Sequence, residues 1–349
     1  MHATDFNTRC TKISLVVKPE EPIDNLLRKK LFRRGLGEFE SLAMEVFRFQ
    51  YSHCDIYNQW CRQLGVRLSM VKKLEDIPFL PVEFFRTHKV ITLKQEAQVV
   101  FSSSGTTSSM TSMHWVADKS LYEESYTKGF GMFYGNPSDY AILALLPSYL
   151  ERSGSSLVHM AEGLIRQSGR PASGFYLDNL AALHQTLLML REKGIPTLLI
   201  GVTFALLDMS ATYPIEFPEL IVMETGGMKG RRREMVRSEV HEQLMAGFGV
   251  KTIHSEYGMT ELLSQAYSKG AGVFECPPWM RVMIREMNDP FSYVGEGRSG
   301  GINIIDLANL YSCSFIAVQD IGKMQSDGRF EVLGRFDNSQ LRGCNLMVG

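Results

Sequence analysis

The chain carries the stretch AILALLP at residues 141–147, in which six apolar residues in a row are ended by a proline. A run this short and this apolar is typical of a strand buried on both faces. After it come, in turn, two predicted helices, two strands, a helix and a strand, at residues 155–167, 180–193, 197–200, 220–223, 230–246 and 251–254. Because strands alternate with helices, the sequence predicts an α/β fold with parallel pairing. In such sheets ligands bind at the carboxyl ends of the strands.

The pattern changes on both sides of this α/β region. Apolar residues recur at helical spacing between Gly35 and Gln63, so the first part of the chain is predicted to be helical. After Pro277 the composition changes, and seven glycines between residues 295 and 334 interrupt short apolar runs. This pattern predicts a small β-rich subregion.

Composition excludes several classes of function. The 349 residues are 44% hydrophobic and carry a formal net charge of -1. The chain can therefore bury a large core but offers no strongly basic surface for nucleic acid or an anionic membrane. No stretch reads as a signal peptide or is long enough to span a bilayer, so we expect a cytoplasmic protein without membrane insertion. The six cysteines, at positions 10, 54, 61, 276, 313 and 344, lack the spacing of a metal site or a disulfide framework.

A hydroxyl-rich loop follows a β-branched run. The stretch FSSSGTTSS at residues 101–109 places seven hydroxyl groups around Gly105. Glycine lets backbone amides approach phosphate oxygens closely, and hydroxyls donate to those oxygens or bind Mg²⁺. The loop has neither the Walker spacing nor its lysine. It predicts ATP binding by another kind of loop, and a Ser-rich linker is the alternative.

Further polar or glycine-rich patterns follow the predicted strands. They are ETGGMK at 224–229, HSEYGMTE at 254–261, QD at 319–320 and GRFD at 334–337. In this order, downstream of the hydroxyl-rich loop, they resemble the adenylate-forming superfamily of acyl-activating enzymes over residues 95–349. Within it, the sequence is most similar to the LuxE-type acyl-protein synthetases of bacterial luminescence, and next to the phenylacetate-CoA ligases. The patterns that favour the synthetases are LEDIPFLP at 74–81, FF at 84–85, LPSY at 146–149, SSL at 155–157 and PPW at 277–279.

The resemblance implies a fold and a division of the chain. The expected fold is the large N-terminal domain of adenylate-forming enzymes, with mixed sheets flanked by helices and a small β-rich subregion. The expected parts are a helical segment at 1–75, an adenylate-forming catalytic domain at 76–334, and a truncated hinge with a C-terminal tail at 335–349. Related ligases continue beyond the hinge. The usual C-terminal domain, and the lysine that it supplies to the first reaction step, are therefore expected to be absent here.

The resemblance also implies nucleotide-binding roles, with ATP and Mg²⁺ as the ligands. The β and γ phosphates would be held by Ser103, Ser104, Gly105, Thr106 and Thr107. The adenine would be bound by Gly226, Gly227, Tyr257 and Gly258, with the Tyr257 ring stacked on the purine. Asp320 would accept hydrogen bonds from the ribose, and Thr106 would help to hold the metal.

The remaining implied roles are catalytic. Thr260 would contact the α phosphate, and Glu261 would bind Mg²⁺. Arg335, which marks the hinge with Asp337, would reach the ribose or a phosphate. Cys344, near the carboxyl end, would carry the acyl group as a thioester.

These residues also have ordinary structural interpretations. Gly226 and Gly227 could form a turn, Glu261 could cap a following helix, and Asp320 could be a β-turn carboxylate. His254 could border the acyl pocket, but is interpreted as a core histidine whose hydrogen bonds are satisfied. Cys344 could be a small apolar filler.

The predicted reaction has two steps. A carboxylic acid, fatty or aryl, attacks the α phosphate of ATP and releases pyrophosphate, and a thiol then takes the acyl group from the acyl-adenylate. The first hypothesis is transfer to Cys344 and onward to an acyl reductase. The alternatives are transfer to coenzyme A or an acyl carrier protein, and a non-catalytic nucleotide-binding subunit of a reductase complex. The acid is expected near Thr203, between walls that could equally be plain core, at Leu145, Leu146, Leu157, Met160, Val202, Phe204 and Leu207.

Overall fold

The computed structural model describes residues 22–33, 38–103, 111–147, 154–226 and 235–336. Its helices are α1 (Ile23–Lys30), α2 (Phe39–His53), α3 (Asp55–Gln63), α4 (Phe84–Thr87), α5 (Lys119–Tyr134), α6 (Ser156–Ser168), α7 (Leu180–Glu192), α8 (Thr203–Thr212) and α9 (Arg237–Phe248). Its strands are β1 (Leu80–Pro81), β2 (Val99–Ser102), β3 (Met113–Val116), β4 (Ala141–Leu145), β5 (Gly174–Phe175), β6 (Thr197–Val202), β7 (Ile221–Thr225), β8 (His254–Tyr257), β9 (Ala266–Ser268), β10 (Val273–Phe274), β11 (Met280–Arg285), β12 (Ser299–Asp306), β13 (Phe315–Met324) and β14 (Phe330–Arg335). None of the helices within these ranges is long and apolar enough to cross a bilayer.

The alternating region forms a six-stranded sheet in the order β5-β4-β6-β7-β8-β9, which we call the first sheet. Its strands pair in parallel from β5 to β8, and β9 is antiparallel to β8. Every residue of β4 and β6 is buried, as the continuous apolar run at 141–146 predicts. The predicted α/β class with parallel pairing is confirmed.

Local sequence signals fix the ends of the helices that cover this sheet. The Ser155 side chain accepts a hydrogen bond from the Val158 amide (3.3 Å) and caps α6. The Asn179 side chain does the same for the Ala182 amide (3.0 Å) at the start of α7. α6 ends at Gly169, which has a left-handed conformation (φ 62°). A residue without a Cβ adopts this conformation at little cost, so the helix ends there.

The β-rich region forms a second sheet in the order β10-β14-β13-β12-β11, with β1 added in parallel alongside β13. The sheet lies mainly after Pro277, where a small β-rich subregion was predicted. Its strands are longer than the glycine pattern suggested, and β13 has ten residues. Gly300, Gly301 and Gly322 lie inside strands, where their neighbours leave no room for a side chain. A Cβ at Gly300 would lie 2.1 Å from the Arg285 carbonyl, and one at Gly322 would lie 2.6 Å from Ile302.

The N-terminal helices pack on the second sheet. The Gln50 amide donates to the carbonyls of Asn309 (2.9 Å) and Leu310 (3.0 Å) and accepts from the Ser314 amide (2.9 Å). The helical segment expected between Gly35 and Gln63 consists of two helices, α2 and α3, separated by the fully buried and extended Cys54. The boundary at residue 75 stays a prediction.

Three other predicted elements differ from the observed ones. The strand expected at 251–254 is β8, which begins at His254, where pairing with Met223 of β7 begins. β6 continues through Gly201 to Val202, because both residues still pair with β7. Glycine fits at 201, since a Cβ there would lie 2.8 Å from Leu206. The helix expected at 230–246 is α9, which begins at Arg237, while residues 227–234 lie outside the described residues.

Candidate nucleotide site

Three predicted site residues meet where β8 ends. The Tyr257 hydroxyl, on the last residue of β8, donates to Asp320 Oδ2 at 2.7 Å. Arg335 Nε donates to Asp320 Oδ1 at 2.9 Å, and the two residues are register partners on β13 and β14. The carboxylate of Asp320 therefore links the end of β8 in the first sheet to β13 and β14 of the second. The Arg335 side chain is 66% exposed, whereas that of Asp320 is 9% exposed.

Asp320 lies inside strand β13. The expectation that it follows the end of a strand is therefore wrong. β13 runs from Phe315 to Met324, and its pairing with β14 continues past Asp320 to Met324. The alternative of a β-turn carboxylate is therefore wrong. The apolar run 315–318 continues into a half of the same strand that contains polar residues, which the sequence alone does not show.

The ring of Tyr257 packs between two phenylalanine rings. It packs edge-on against Phe274 and Phe330, with ring centroids 5.8 Å away in each case. Burial and the nearby Asp320 carboxylate raise the pKa of Tyr257 well above its ordinary value. The phenol therefore stays protonated and remains a donor to Asp320. Stacking of this ring on a purine stays a prediction.

Thr260 and Glu261 are anchored through their backbone. His114 Nδ1 donates to the Thr260 carbonyl (2.9 Å), and Asn309 Nδ2 donates to the Glu261 carbonyl (2.8 Å). Both donors are fully buried. No helix follows Glu261 in the described residues up to β9, so the helix-cap alternative is wrong. The turn is fixed instead by side chains from distant parts of the chain.

The Glu261 side chain lies next to Ser112, which immediately precedes β3. It is buried and hydrogen-bonds the side chain of Ser112. Burial raises its pKa, although the Ser112 hydroxyl and the positive charges of Arg335 and Arg86 act in the opposite direction. Glu261 is thus a carboxylate close to two arginines, at the base of the hydroxyl-rich loop.

Ser103 closes the base of that loop. Its amide donates to the Ser112 carbonyl (3.1 Å), and its hydroxyl accepts from the Ser112 amide (3.1 Å). β2 and β3 form the antiparallel hairpin that carries the loop. Five predicted nucleotide-binding residues lie outside the described residues: Ser104, Gly105, Thr106, Thr107 and Gly227. Cys344 and Asp337 lie outside them as well.

Two predicted glycines have structural reasons of their own. Gly226 has φ of 64°, and its carbonyl accepts a hydrogen bond from Thr203 Oγ1 (2.6 Å), so the chain bends at the end of β7. A Cβ at Gly258 would lie 2.3 Å from Glu256 Oε1. A role of either glycine in adenine binding stays a prediction.

The residues present fit a nucleoside triphosphate with Mg²⁺. Across the described ranges, no cluster of three or more His, Cys, Asp or Glu side chains could hold a metal by itself. Mg²⁺ in phosphate sites often uses one or two carboxylates plus the phosphates, and Glu261 provides one. Each oxygen of Asp320 has one donor in this structure, so a second lone pair on each can still accept from a ribose hydroxyl.

The expected acid pocket consists mainly of core residues. Of its predicted walls, only Leu157 is half-buried, while the fully buried ones are Leu145, Leu146, Met160, Val202, Phe204 and Leu207. Thr203 donates to Glu224 (2.9 Å) as well as to the Gly226 carbonyl. His254 pairs with the Tyr134 hydroxyl (3.1 Å), and burial and the charge of Lys269 lower its pKa to about 4. His254 is therefore a hydrogen-bonded core histidine, as the sequence predicted, and it is neutral near pH 7.

Several site-supporting residues were not predicted. His114 is one, although alternation in β3 places it on the same buried face as Val116. Burial lowers its pKa to about 4, so it acts as a neutral donor. Arg86 and Glu256 were also missed. A charged residue within a buried strand, as in HSEY at 254–257, was the available signal for Glu256.

Comparison with known proteins supports the resemblance. Residues 37–127 match the family model described as acyl-protein synthetase, LuxE. Over 68 residues the chain is 31% identical to the long-chain-fatty-acid–luciferin-component ligase of Photorhabdus luminescens. That match covers 19% of this chain and 58% of the Photorhabdus protein. The predicted resemblance to the LuxE-type family is confirmed.

The fold is shared with solved acyl-CoA ligases. 2-Hydroxyisobutyryl-CoA ligase, solved in the postadenylation state with R3-HIB-AMP, has a TM-score of 0.62 at 13% identity, over 87% of this chain and 67% of that one. ATP-bound MatB from Rhodopseudomonas palustris has a TM-score of 0.52 at 14% identity, over 70% of this chain and 50% of MatB. The chain has the fold of the large N-terminal domain of adenylate-forming enzymes, as the sequence predicted.

Proposed function

We propose that this chain is an AMP-forming ligase that activates a carboxylic acid with ATP and passes the acyl group to a protein thiol. The proposed acid is a long-chain fatty acid, the class for which the Photorhabdus luminescens relative is named. The observation that carries the proposal is the hydrogen-bonded chain of Tyr257, Asp320 and Arg335. It lies within electrostatic reach of Glu261, at the base of the hydroxyl-rich loop.

In the first step the protein must bring together two anions, the acid and the triphosphate. Asp320 accepts from Nε of Arg335, so the terminal guanidinium N–H groups would serve as donors to ribose or phosphate. Tyr257 and Arg335 fix the Asp320 carboxylate for the ribose hydroxyls. Mg²⁺, bound by Glu261 and the phosphates, would supply charge neutralisation at the phosphorus.

The described cysteines are poor candidates for the acyl acceptor. Burial raises the pKa of Cys54 to about 11 and that of Cys61 and Cys276 to about 12. It raises the pKa of Cys313 well above its ordinary value. Because the thiolate is the nucleophile, these four thiols are nearly unreactive at neutral pH. Cys10 and Cys344 remain, and the resemblance to the acyl-protein synthetases implies that Cys344, near the carboxyl end, is the acceptor, with an acyl reductase as the proposed recipient.

The test is covalent labelling. The purified protein is incubated with ATP, Mg²⁺ and a radiolabelled long-chain fatty acid, denatured, and treated with hydroxylamine, which cleaves thioesters. Cys344→Ser is compared with Cys10→Ser, the other cysteine outside the described residues. We expect hydroxylamine-sensitive label on the wild type and on Cys10→Ser, and none on Cys344→Ser.

Other outcomes separate the alternatives. Pyrophosphate release without label on any variant would contradict acyl transfer to Cys344 and favour coenzyme A or a carrier protein as acceptor. ATP binding without pyrophosphate release, across a panel of fatty and aryl acids, would favour a nucleotide-binding subunit. Label that persists on Cys344→Ser would place the thioester on another residue.

A further inference from the structure

Asp306 is a buried carboxyl group that lies beside the turn carrying Thr260 and Glu261. It is the last residue of β12 and is fully buried. Its Oδ2 accepts a hydrogen bond from the Leu263 amide (2.8 Å), and its Oδ1 accepts one from the Ser264 hydroxyl (2.6 Å). The carboxylate therefore fixes the chain just after Glu261, on the way from β8 to β9.

Asp306 also orders the residue that holds Glu261 itself. Its Oδ1 accepts from the Ala308 amide (3.1 Å) and so caps the 3₁₀ turn Leu307–Asn309. Asn309, at the end of this turn, donates from Nδ2 to the Glu261 carbonyl (2.8 Å). One short segment thus contacts the site at Glu261 and again just after it.

Two further side chains converge on the Ser264 hydroxyl. Trp279 Nε1 donates to Ser264 Oγ (3.1 Å) and to Ser125 Oγ (3.0 Å), and the two hydroxyl oxygens lie 3.0 Å apart. All three residues are buried. Because Trp279 and Ser125 keep each other as partners, loss of the Ser264 hydroxyl breaks the contact with Asp306 without leaving the indole unpaired.

The Asp306 carboxylate is held by hydrogen bonds alone. Within the described ranges no cation pairs with it, and burial raises its pKa to about 6, although the bonds from Ser264, Leu263 and Ala308 act in the opposite direction. Above this pH the group is ionised and accepts from all three donors at once. An asparagine in its place would turn an N–H donor toward one of them, so the charge and both oxygens are needed for the full set of contacts.

We propose that Asp306 is a positioning residue that holds Glu261 where it can bind the Mg²⁺ that accompanies ATP. This inference rests on the proposed function, in which Glu261 is the carboxylate for the metal. Asp306 acts through the backbone of Leu263 and, through Asn309, through that of Glu261. Loss of its contacts should therefore weaken the binding of ATP with Mg²⁺ more than the binding of ATP alone.

The first test is calorimetric binding of ATP, with and without Mg²⁺, to Ser264→Ala and to a matched control. The control is Ser168→Ala, which removes a buried hydroxyl that donates to the Tyr140 carbonyl (2.6 Å) at the end of α6. We expect Ser264→Ala to weaken binding about tenfold with Mg²⁺, the size of one hydrogen bond to a charged acceptor, and to leave binding of metal-free ATP nearly unchanged. Ser168→Ala should change neither. No loss in Ser264→Ala, or equal losses with and without Mg²⁺, would overturn the proposal.

The second test asks whether the effect passes through Glu261. Affinity for ATP with Mg²⁺ is measured for Glu261→Gln, for Asp306→Asn and for the double variant. Asp306→Asn should lose more affinity than Ser264→Ala, since it disturbs three contacts. In a protein that already lacks the Glu261 carboxylate it should cost little further affinity. Losses that simply add, or an Asp306→Asn variant that binds as the wild type does, would contradict the positioning role.

The third test does not depend on the proposed function. Hydrogen exchange of the nucleotide-free protein is compared among wild type, Asp306→Asn, Ser264→Ala and Ser168→Ala. The Leu263 amide reports directly, because Asp306 accepts its hydrogen bond. We expect faster exchange in 260–264 for the first two variants and not for Ser168→Ala, and unchanged exchange there in Asp306→Asn would overturn the proposal. A wild type that binds no ATP would refute the proposed function, and the exchange data would still decide whether Asp306 orders the turn.

Discussion

Substitution of Glu256 by glutamine should remove a pH-dependent loss of stability. The side chain is 8% exposed, and its pKa is raised from 4.5 to about 7 by burial and by Glu224. A carboxyl with a raised pKa in the folded state contributes stability that is fully present below the unfolded pKa and is lost as pH rises through the folded one. A shift of this size corresponds to about 3 kcal/mol of unfolding free energy.

The prediction concerns a difference between two proteins. The free energy of unfolding in urea is measured for wild type and Glu256→Gln at several pH values from 4.5 to 8.5. The wild type loses this stability between pH 4.5 and about 7, and Glu256→Gln does not. The advantage of the variant should therefore grow by about 3 kcal/mol across the range.

Other buried groups titrate in the same range, and the comparison removes their contribution. Burial raises the pKa of Asp306 to about 6 and lowers those of His114 and His254 to about 4. All three are present in both proteins, so they shape both profiles alike. Parallel profiles for wild type and Glu256→Gln would refute the reasoning. So would a variant advantage that shrinks as pH rises.

Three further predictions concern the site and the core. Asp320→Asn should weaken ATP binding about tenfold or more, since it removes a charged acceptor, while Asp327→Asn, an exposed carboxylate in the turn after β13, should leave calorimetric affinity unchanged. Gly258→Ala should lower the thermal midpoint because of the contact with Glu256 Oε1, and adding Glu256→Ala should recover most of that loss; no recovery would contradict the packing argument. Phe47→Ala should cost about 3–5 kcal/mol in urea unfolding, since Phe47 is fully buried, and a cost under 1 kcal/mol would show that the N-terminal helices are not part of the core.

The sequence predicted β4, β6 and β7 of the first sheet because these strands are continuous apolar runs, whereas the short strands β5 and β9 carry no such signal. The unbroken apolar run at 141–146 is typical of a strand buried on both faces, and β4 is such a strand. The second sheet was harder, because its glycines signal turns in a single sequence. In the structure Gly300 and Gly322 lie inside strands where a neighbouring backbone or side chain takes the place of a Cβ. Such close approaches depend on tertiary packing, which no local pattern encodes.

The sequence motifs contained the residues of the candidate site, but they did not reveal the buried side chains that hold those residues in place. Tyr257, Asp320 and Arg335 come together as their shared assignment to one nucleotide requires. His114 reaches Thr260 from 146 positions away, and Asn309 reaches Glu261 from 48 positions away. Side chains that act through such long-range contacts carry no spacing signal, so they could be found only once the strands were in place.

The most direct test of the central claim, that this chain activates a carboxylic acid with ATP, is exchange of labelled pyrophosphate into ATP. The wild type is assayed with Mg²⁺ and a panel of fatty and aryl acids, beside Asp320→Ala and the control Asp327→Asn. The account predicts exchange that requires both Mg²⁺ and an acid, is retained by Asp327→Asn, and is lost with Asp320→Ala. Exchange that persists in Asp320→Ala, or a wild type that binds ATP but exchanges pyrophosphate with none of the acids, would contradict it.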